Sequence, residues 1–241
     1  MEIVIYGAGV LAQLTKESVI TSGSNVAGMI DPLGNTEYKS LKEFDKDCDI
    51  IIDFSHFSSL NDILEYAVKN KKPVIIATTG HSKEQTALIE EAAKHIAVLK
   101  ATNTSFGVTM INEILSYAAK LLKGFDIELI EKHHNRKIDS PSGTAETMLE
   151  VIQASIDEDR DLVYGREGNS KRTAKEIGVH SVRAGNIVGE HTVIFSRGDE
   201  IIEIKHEALS RKMFADGAVD AALKLVNKKS GLYSMKDLLI V

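Results

Sequence analysis

The chain has one cysteine, Cys48, among 241 residues. No intrachain disulfide can form, and a reducing compartment is the expected setting. Long hydrophobic runs are also missing. The most apolar stretches, Asp49-Ile50-Ile51-Ile52-Asp53 and Pro73-Val74-Ile75-Ile76-Ala77, fall far short of the roughly 18 residues that a membrane-spanning helix needs. The opening residues lack the basic start, apolar stretch and small-residue cleavage site of a signal peptide, so a cytoplasmic location is expected. An excess of positive charge is absent as well: the net charge of −6 argues against general nucleic-acid binding, though it leaves room for a local basic pocket. Neither internal repeats nor low-complexity linkers interrupt the chain. What remains, 43% apolar and 27% charged residues, suits one large or two modest globular domains.

The first hundred residues alternate short β-branched runs with helical patterns. The runs are Ile3-Val4-Ile5, Val26 to Ile30, Ile50-Ile51-Ile52, Val74-Ile75-Ile76 and Ile96 to Leu99. Between them Leu11 to Ser22, Ser59 to Lys69 and Lys83 to Lys94 carry apolar residues at helical spacing. Continuous apolar runs alternating with helices predict a parallel sheet buried on both faces, a Rossmann-like doubly wound α/β domain. After Thr104 the rhythm changes. A helical stretch near Val108 to Lys123 leads to alternating runs at Phe125 to Glu131, Gly178 to Arg183, His191 to Ser196 and Glu200 to His206. These predict a second, α+β domain with a mixed or antiparallel sheet. The charged segment 156–177 reads as an exposed loop, and an amphipathic helix from Phe214 to Val226 is expected to close the chain.

Gly7-Ala8-Gly9-Val10-Leu11-Ala12 follows the first strand and opens the first helix, giving G-x-G-x-x-A. The first glycine permits the tight turn, the second admits a pyrophosphate close to the backbone, and a small third residue lets helix and strand pack closely. Asp31 ends the second strand, near the distance of about twenty residues at which an acidic group receives the adenosine ribose hydroxyls. Together these point to NAD(H). The alternative is a glycine turn in an α/β protein that binds something else. Thr78-Thr79-Gly80, after the fourth strand, falls at the same carboxyl edge, where ligands of such sheets bind.

Glu131 to Ala145 concentrates His133, His134, Arg136 and Lys137 in a passage from strand to loop to helix. Those cations can receive an anionic substrate, with histidine or lysine available for proton transfer. Ser140 or Ser142 can cap the following helix, Pro141 suits its first position, and the amides of Gly143 and Thr144 would face a carboxylate. A metal site is not expected, because His133 and His134 project to opposite faces of a strand and the distant cysteine completes no ligand set. An RNA-binding turn lacks interleaved aromatics, and a serine hydrolase lacks its G-x-S-x-G elbow. Tyr38 and Lys42 imitate the Tyr-x-x-x-Lys pair of short-chain dehydrogenases, but they come too early in the sheet and read as coincidence.

Taken in order, these segments resemble the 4-hydroxy-tetrahydrodipicolinate reductase (dihydrodipicolinate reductase) family from end to end. Glu131 to Ala145 is similar to its E-x-H-H-x-x-K-x-D-x-P-S-G-T-A signature. Supporting segments are Asp53-Phe54-Ser55, Thr78-Thr79-Gly80, Asn103 to Gly107, Ser181 to His191 and His206 to Arg211. The resemblance implies reduction of a cyclic dicarboxylate by NADH or NADPH in lysine and diaminopimelate biosynthesis. His133 and Lys137 would be catalytic, and His134, Gly143 and Thr144 would bind substrate. Cofactor contacts would come from Gly7 to Ala12, Asp31, Ala77, Thr78, Thr79, Ala101, Thr102, Asn103 and Thr104. The resemblance also implies a cytoplasmic homotetramer and two domains. Residues 1–104 with 212–241 would bind the dinucleotide, and 105–211 would bind substrate and form the oligomer.

The sequence departs from the family pattern at Ala12, which replaces the usual last glycine, at Ala77 before Thr-Thr-Gly, and at Thr104 in place of a frequent aromatic. Pro32 stands where many relatives carry a basic residue, so NADH is expected to serve at least as well as NADPH, with Lys39 a residue that could compensate. Two rival readings use the same residues: a non-catalytic NAD(H)-sensing regulator, and a dehydrogenase of another small oxo-acid. The sensor explains Gly7, Gly9 and Asp31 but gives no reason for His133, Lys137 and the Ser142-Gly143-Thr144 turn to occur together.

Overall fold

The computed structural model describes residues 1–239. In chain order the first elements are β1 (Glu2–Tyr6), α1 (Val10–Thr21), β2 (Asn25–Ile30), β3 (Ile50–Asp53), α2 (Leu60–Asn70), β4 (Val74–Ile76), α3 (Lys83–Ala93) and β5 (Ala97–Lys100). There follow α4 (Phe106–Leu121), β6 (Asp126–His133), α5 (Gly143–Gln153), β7 (Asp161–Tyr164), β8 (Glu176–Arg183), β9 (Gly189–Arg197) and β10 (Glu200–Ala208). The chain then forms α6 (Lys212–Leu225), β11 (Gly231–Tyr233) and α7 (Met235–Leu239). It divides into two compact units, Met1–Phe106 with the segment from Arg211 onward, and Gly107–Ser210. Positions 240 and 241, the end of the expected 212–241 segment, lie outside the described residues.

In the first unit six strands pair in the order β11-β5-β4-β3-β1-β2, every pair parallel. Ile3 to Ile5, Ile50 to Ile52 and Val74 to Ile76 are fully buried, which is why these strands read as unbroken apolar runs. One face packs on α2 and α3 through Leu60, Ile63 and Ile89; the other packs on α1, α6 and α7 through Ala12, Val19, Ala218 and Leu238. Ser82 starts α3 with a reciprocal cap, its hydroxyl accepting from the Gln85 amide at 3.2 Å while the Gln85 carboxamide accepts from the Ser82 amide at 3.0 Å. The order of strands reverses beside β1, so the crevice above β1 and β3 is the topological switch point where ligands of such sheets bind.

Helix α6 lies close against the loop after β5. A Cβ on Gly217 would stand 1.9 Å from the Thr104 carbonyl oxygen, and the Thr104 hydroxyl donates to the Phe214 carbonyl at 2.6 Å. The chain does not close on that helix as the sequence suggests. After it β11 joins the sheet edge beside β5, and α7 packs on the same core.

The second unit is a mixed sheet ordered β10-β9-β6-β8-β7, with β6 antiparallel to β9 but parallel to β8. Helices α4 and α5 cover one face through Ile111, Leu115, Met148 and Ile152, over Ile127, Leu129, Val193 and Phe195. Segment 156–177 is not simply an exposed loop. It contains β7, and its arginines are anchored: Arg172 bridges Asp126 and Glu128, while Arg160 is buried and donates to the Phe125 carbonyl at 2.8 Å. A guanidinium with several fixed acceptors can be ordered where a run of isolated charges would stay solvated.

Candidate functional site

The glycine turn after β1 is built as the sequence predicts. Gly7 has φ +130°, and a Cβ there would approach the Phe54 carbonyl oxygen to 2.5 Å, so only glycine fits. Its amide donates to the Ile30 carbonyl at 2.8 Å, tying the turn to the end of β2. Gly9 caps α1 with extended backbone and no side-chain hydrogen bond, and nothing lies within 4 Å of its missing Cβ. The first amides of α1 therefore face an open approach suited to an anion. Ala12 is fully buried in the core, where its methyl takes the place of the third glycine.

Asp31 follows β2 and is mostly buried. Its Oδ2 accepts from the Asn35 backbone amide at 3.2 Å and side-chain amide at 2.6 Å. That turn holds the carboxylate at the rim of a cavity of about 570 Å³, which Gly7, Gly9, Asp31, Leu33 and Phe54 help to line. Val10 is exposed beside it at the start of α1, and Leu11 is half-buried.

The other expected cofactor residues lie at the same carboxyl edge but outside that lining. Ala77 bonds through its amide to the Asp53 carbonyl, and the Thr78 hydroxyl accepts from the Ser55 amide at 3.1 Å. Thr79 and Thr102 are exposed, and Ala101 is held by the Ile76 carbonyl. The Asn103 carboxamide oxygen accepts from the Ser105 amide at 2.9 Å. Thr104 is buried with its hydroxyl committed to Phe214, so the structure gives it a packing role within the first unit. Phe54, Ser55 and His56 line the cavity and were not singled out as contacts. The signal that could have found them is their place just past β3, beside the switch point. Asp53 beneath them is buried; burial raises its carboxyl above the ordinary range, partly offset by hydrogen bonds from Ser55 and Thr78.

In the second unit the chemistry gathers where β6 ends. Glu131 is fully buried, and its Oε2 accepts from His133 Nδ1 at 2.6 Å and from Arg183 Nη1 at 2.8 Å. Arg183 Nη2 donates to Oε1 at 2.6 Å, making the pair bidentate. Burial alone would raise the Glu131 pKa, but the bonds from Arg183, His133 and Ser181 outweigh it and hold the carboxyl at about 2. The His133 ring meets the His191 ring edge-on, centroids 5.2 Å apart. Burial, with the nearby charge of His133, pushes His191 down to about 4 and keeps it neutral.

His191 Nε2 lies 2.8 Å from the Ser142 hydroxyl oxygen, which accepts from the Ala145 amide at 3.2 Å and so caps α5. Helix α5 begins at Gly143, leaving Pro141 one residue before the cap and not at the first helical position. A Cβ on Gly143 would meet nothing within 4 Å, and half-buried Thr144 continues the first turn. The loop between is fastened at both ends. The amides of Ala184 and Asn135 donate to the carbonyls of His133 and Gly185, and Arg183 Nη2 donates to the Asp139 carbonyl at 2.7 Å. Lys137, half-buried, reaches both Asp139 carboxylate oxygens at 2.7 and 2.8 Å, and its amide is held by the carbonyl of half-buried His134.

The structure thus links His133 to the α5 N-terminus through His191 and Ser142, and sets Lys137 on the loop between them. Glu131, Arg183 and His191 carried no assigned role in the sequence. Tyr38 and Lys42 do not form a pair: Tyr38 donates to Asp45, and Lys42 bridges to Glu65.

Two family descriptions match the chain: "Dihydrodipicolinate reductase, N-terminus" over residues 5–104 and "Dihydrodipicolinate reductase, C-terminus" over residues 107–239. The chain is 46% identical over 240 residues to a 4-hydroxy-tetrahydrodipicolinate reductase of Brachyspira hyodysenteriae, covering 99% of this chain and 100% of that one. To the protein of that name from Caldanaerobacter subterraneus it is 44% identical over 233 residues, 95% of this chain and 92% of the other. The fold is similar to that of a dipicolinate-bound dihydrodipicolinate reductase from Paenisporosarcina sp. TG-14, with a TM-score of 0.79 at 20% identity and 98% of each chain covered. The chain belongs to the dihydrodipicolinate reductase family.

Proposed function

We propose that the protein catalyses the NAD(P)H-dependent reduction of 4-hydroxy-2,3,4,5-tetrahydrodipicolinate, by way of dihydrodipicolinate, to 2,3,4,5-tetrahydrodipicolinate in lysine and diaminopimelate biosynthesis. The observation that carries this reading is that hydrogen bonds through Glu131, Arg183 and Asp139 join His133 to Lys137 at the end of β6, while the His133 ring meets His191, which bonds the capped start of α5. Residues 1–104 with 212–241 form the dinucleotide-binding part, and 105–211 bind substrate.

The residues of the first unit fit a dinucleotide. Gly7 and Gly9 leave the α1 N-terminus bare for a pyrophosphate, and Asp31 presents a carboxylate at the cavity rim for ribose hydroxyls. Ala77, Thr78, Thr79 and the stretch from Ala101 to Asn103 lie at the same sheet edge, on the side suited to the nicotinamide. The bound cofactor supplies a hydride.

The rest is the work of this chain's side chains. The substrate's two carboxylates are drawn to the cationic loop, with His134 and the amides of Gly143 and Thr144 receiving one of them. Hydride addition to the conjugated imine leaves electron density that must be quenched by a proton on the neighbouring ring carbon. Lys137 donates that proton; His133, when its Nε2 takes up a proton, stabilises the developing charge, and so acts as general acid and base. Neutral His191 keeps a second positive charge away from His133 while it is protonated.

The second unit further supports a homotetramer. Its sheet face opposite α4 and α5 carries Ile130, Thr192 and Ile194, with Ile201 exposed at the edge strand, and no helix of the described residues of that unit covers it. Burying that face against other copies would remove this apolar surface from water. No helix among the described residues is long and apolar enough to cross a membrane; a cytoplasmic location belongs to the proposal and rests on the biosynthetic reaction it assigns.

The test is loss of NADH absorbance when the protein meets substrate generated in situ from pyruvate and aspartate semialdehyde by the preceding synthase. Rapid oxidation, abolished in His133→Ala, supports the reading. Cofactor binding without oxidation of either NADH or NADPH would overturn it in favour of a sensor or of another oxo-acid.

A further inference from the structure

We infer that the buried Glu131–Arg183 pair is a positioning device for His133, fixing the ring with Nδ1–H on Glu131 and Nε2 free to handle the reacting proton. The inference rests on the reductase reading for the reaction it serves, but its geometry belongs to the second unit alone. A carboxylate at Glu131 only accepts hydrogen bonds, so the 2.6 Å contact requires that His133 Nδ1 carry the proton. Neutral imidazole then has its lone pair at Nε2. That edge lies beside the bare Cα of Gly189, where a Cβ would stand 3.1 Å from Nε2. The ring is therefore held at Nδ1, and at Nε2 it packs so close to Gly189 that any larger residue there would crowd the nitrogen.

An ion pair that served packing alone would need only the two oxygens of Glu131 and the fork of Arg183. Here Oε2 is shared between Arg183 and His133, and Arg183 also donates to the Asp139 carbonyl on the Lys137 loop. One guanidinium thus registers β6, β8 and the loop that carries the second proton donor. β6 and β8 run parallel with His133 opposite Arg183, which places the guanidinium beside the carboxylate two residues back on β6. The charged and titratable groups that face the His133 ring are Glu131 on its own strand, Arg183 from β8 through Glu131, and His191 from β9, with Lys137 and His206 of β10 acting in turn on His191.

Glu131→Gln keeps the shape and removes the charge. Arg183 demands an acceptor, so the amide oxygen turns to the guanidinium and the amide NH₂ faces His133 Nδ1, driving the neutral ring to the Nε2–H tautomer. The experiment is nitrogen-resolved NMR of the His133 ring in the full-length protein, read beside steady-state kinetics. The wild type is expected to show Nδ1–H in the neutral ring. The variant is expected to switch tautomer and lose about 10²-fold in kcat, the scale of a misplaced general acid–base group, with KM for NADH unchanged. An Nε2–H tautomer in the wild type would overturn the inference, and that measurement decides the matter even if Glu131→Gln does not fold. So would a folded variant whose kcat stays within about twofold of wild type, well below the effect expected of such a group. A wild type with the expected tautomer but no turnover would sink the reductase reading and leave the positioning geometry standing.

Discussion

Acidification should destabilise the second unit in two separate steps, the first of which reports His191. Its ordinary value of 6.5 is pushed to about 4 by burial and by the charge of His133, with His206 and Lys137 adding to the effect and Glu131 opposing it. The folded state therefore binds this proton less readily than the unfolded chain. The stability that follows from keeping the ring neutral is fully present above pH 6.5 and is lost as pH falls toward 4. Each pH unit across that window is worth about 1.4 kcal/mol, so the whole loss is about 3 kcal/mol. That is a large part of a typical domain's margin of 5–15 kcal/mol. Glu131 acts lower: its folded value of about 2 lies below its ordinary 4.5, so its contribution holds above 4.5 and fades only beneath it. Urea unfolding followed by circular dichroism, from about pH 7 to about pH 4.5, reads the first step. His191→Gln, which cannot titrate, should flatten the slope in that window. Equal wild-type stability at both ends, or an unchanged slope in His191→Gln, would refute the argument.

Three further perturbations test other parts of the account. Lys137→Ala should cut kcat by about 10²-fold or more while leaving the NADH dissociation constant intact, and equal turnover would remove Lys137 from the proton transfer. Gly7→Ala forces a side chain into φ +130° and against the Phe54 carbonyl, so calorimetry should show cofactor binding lost, while wild-type affinity would contradict the tight turn. For the two cofactors, Asp31 and Pro32 favour NADH, whereas Lys39, whose Cε stands 3.3 Å from a Cβ position on Gly34, brings a cation near the same turn. NADH is expected to bind at least as tightly as NADPH by calorimetry, and a strong NADPH preference would contradict this.

The first unit was legible because its strands are buried on both faces. Ile50 to Ile52 and Val74 to Ile76 have no exposed side chain, and such runs separated by amphipathic helices leave little choice of topology. β11 escaped notice for the opposite reason. It is three residues long, begins with a glycine and sits at a sheet edge, so its pairing with β5 is set by tertiary contact and not by a periodic pattern. β7 was hidden within a charge run whose neighbouring arginines turn out to be neutralised by Asp126, Glu128 and Glu176.

In the site, His133 and Lys137 stood out by residue type and spacing. Glu131 lay in the same segment, but its meaning depends on Arg183, which reaches it only through the parallel pairing of β6 with β8. His191 likewise gains its role from β9 lying antiparallel on the other side of β6, opposite Glu131. A linear sequence shows a buried carboxylate only as an alternating strand residue. Its partners appear when the register is known.

The most direct test of the central claim is to follow the hydride itself. The protein is supplied with NADH carrying deuterium at both positions of the nicotinamide C4 and with substrate made in situ, and the tetrahydrodipicolinate product is analysed by mass spectrometry. The account predicts one deuterium in the product carbon skeleton and no labelled product from His133→Ala within the same time. Product without the label, or cofactor consumed without product, would contradict it.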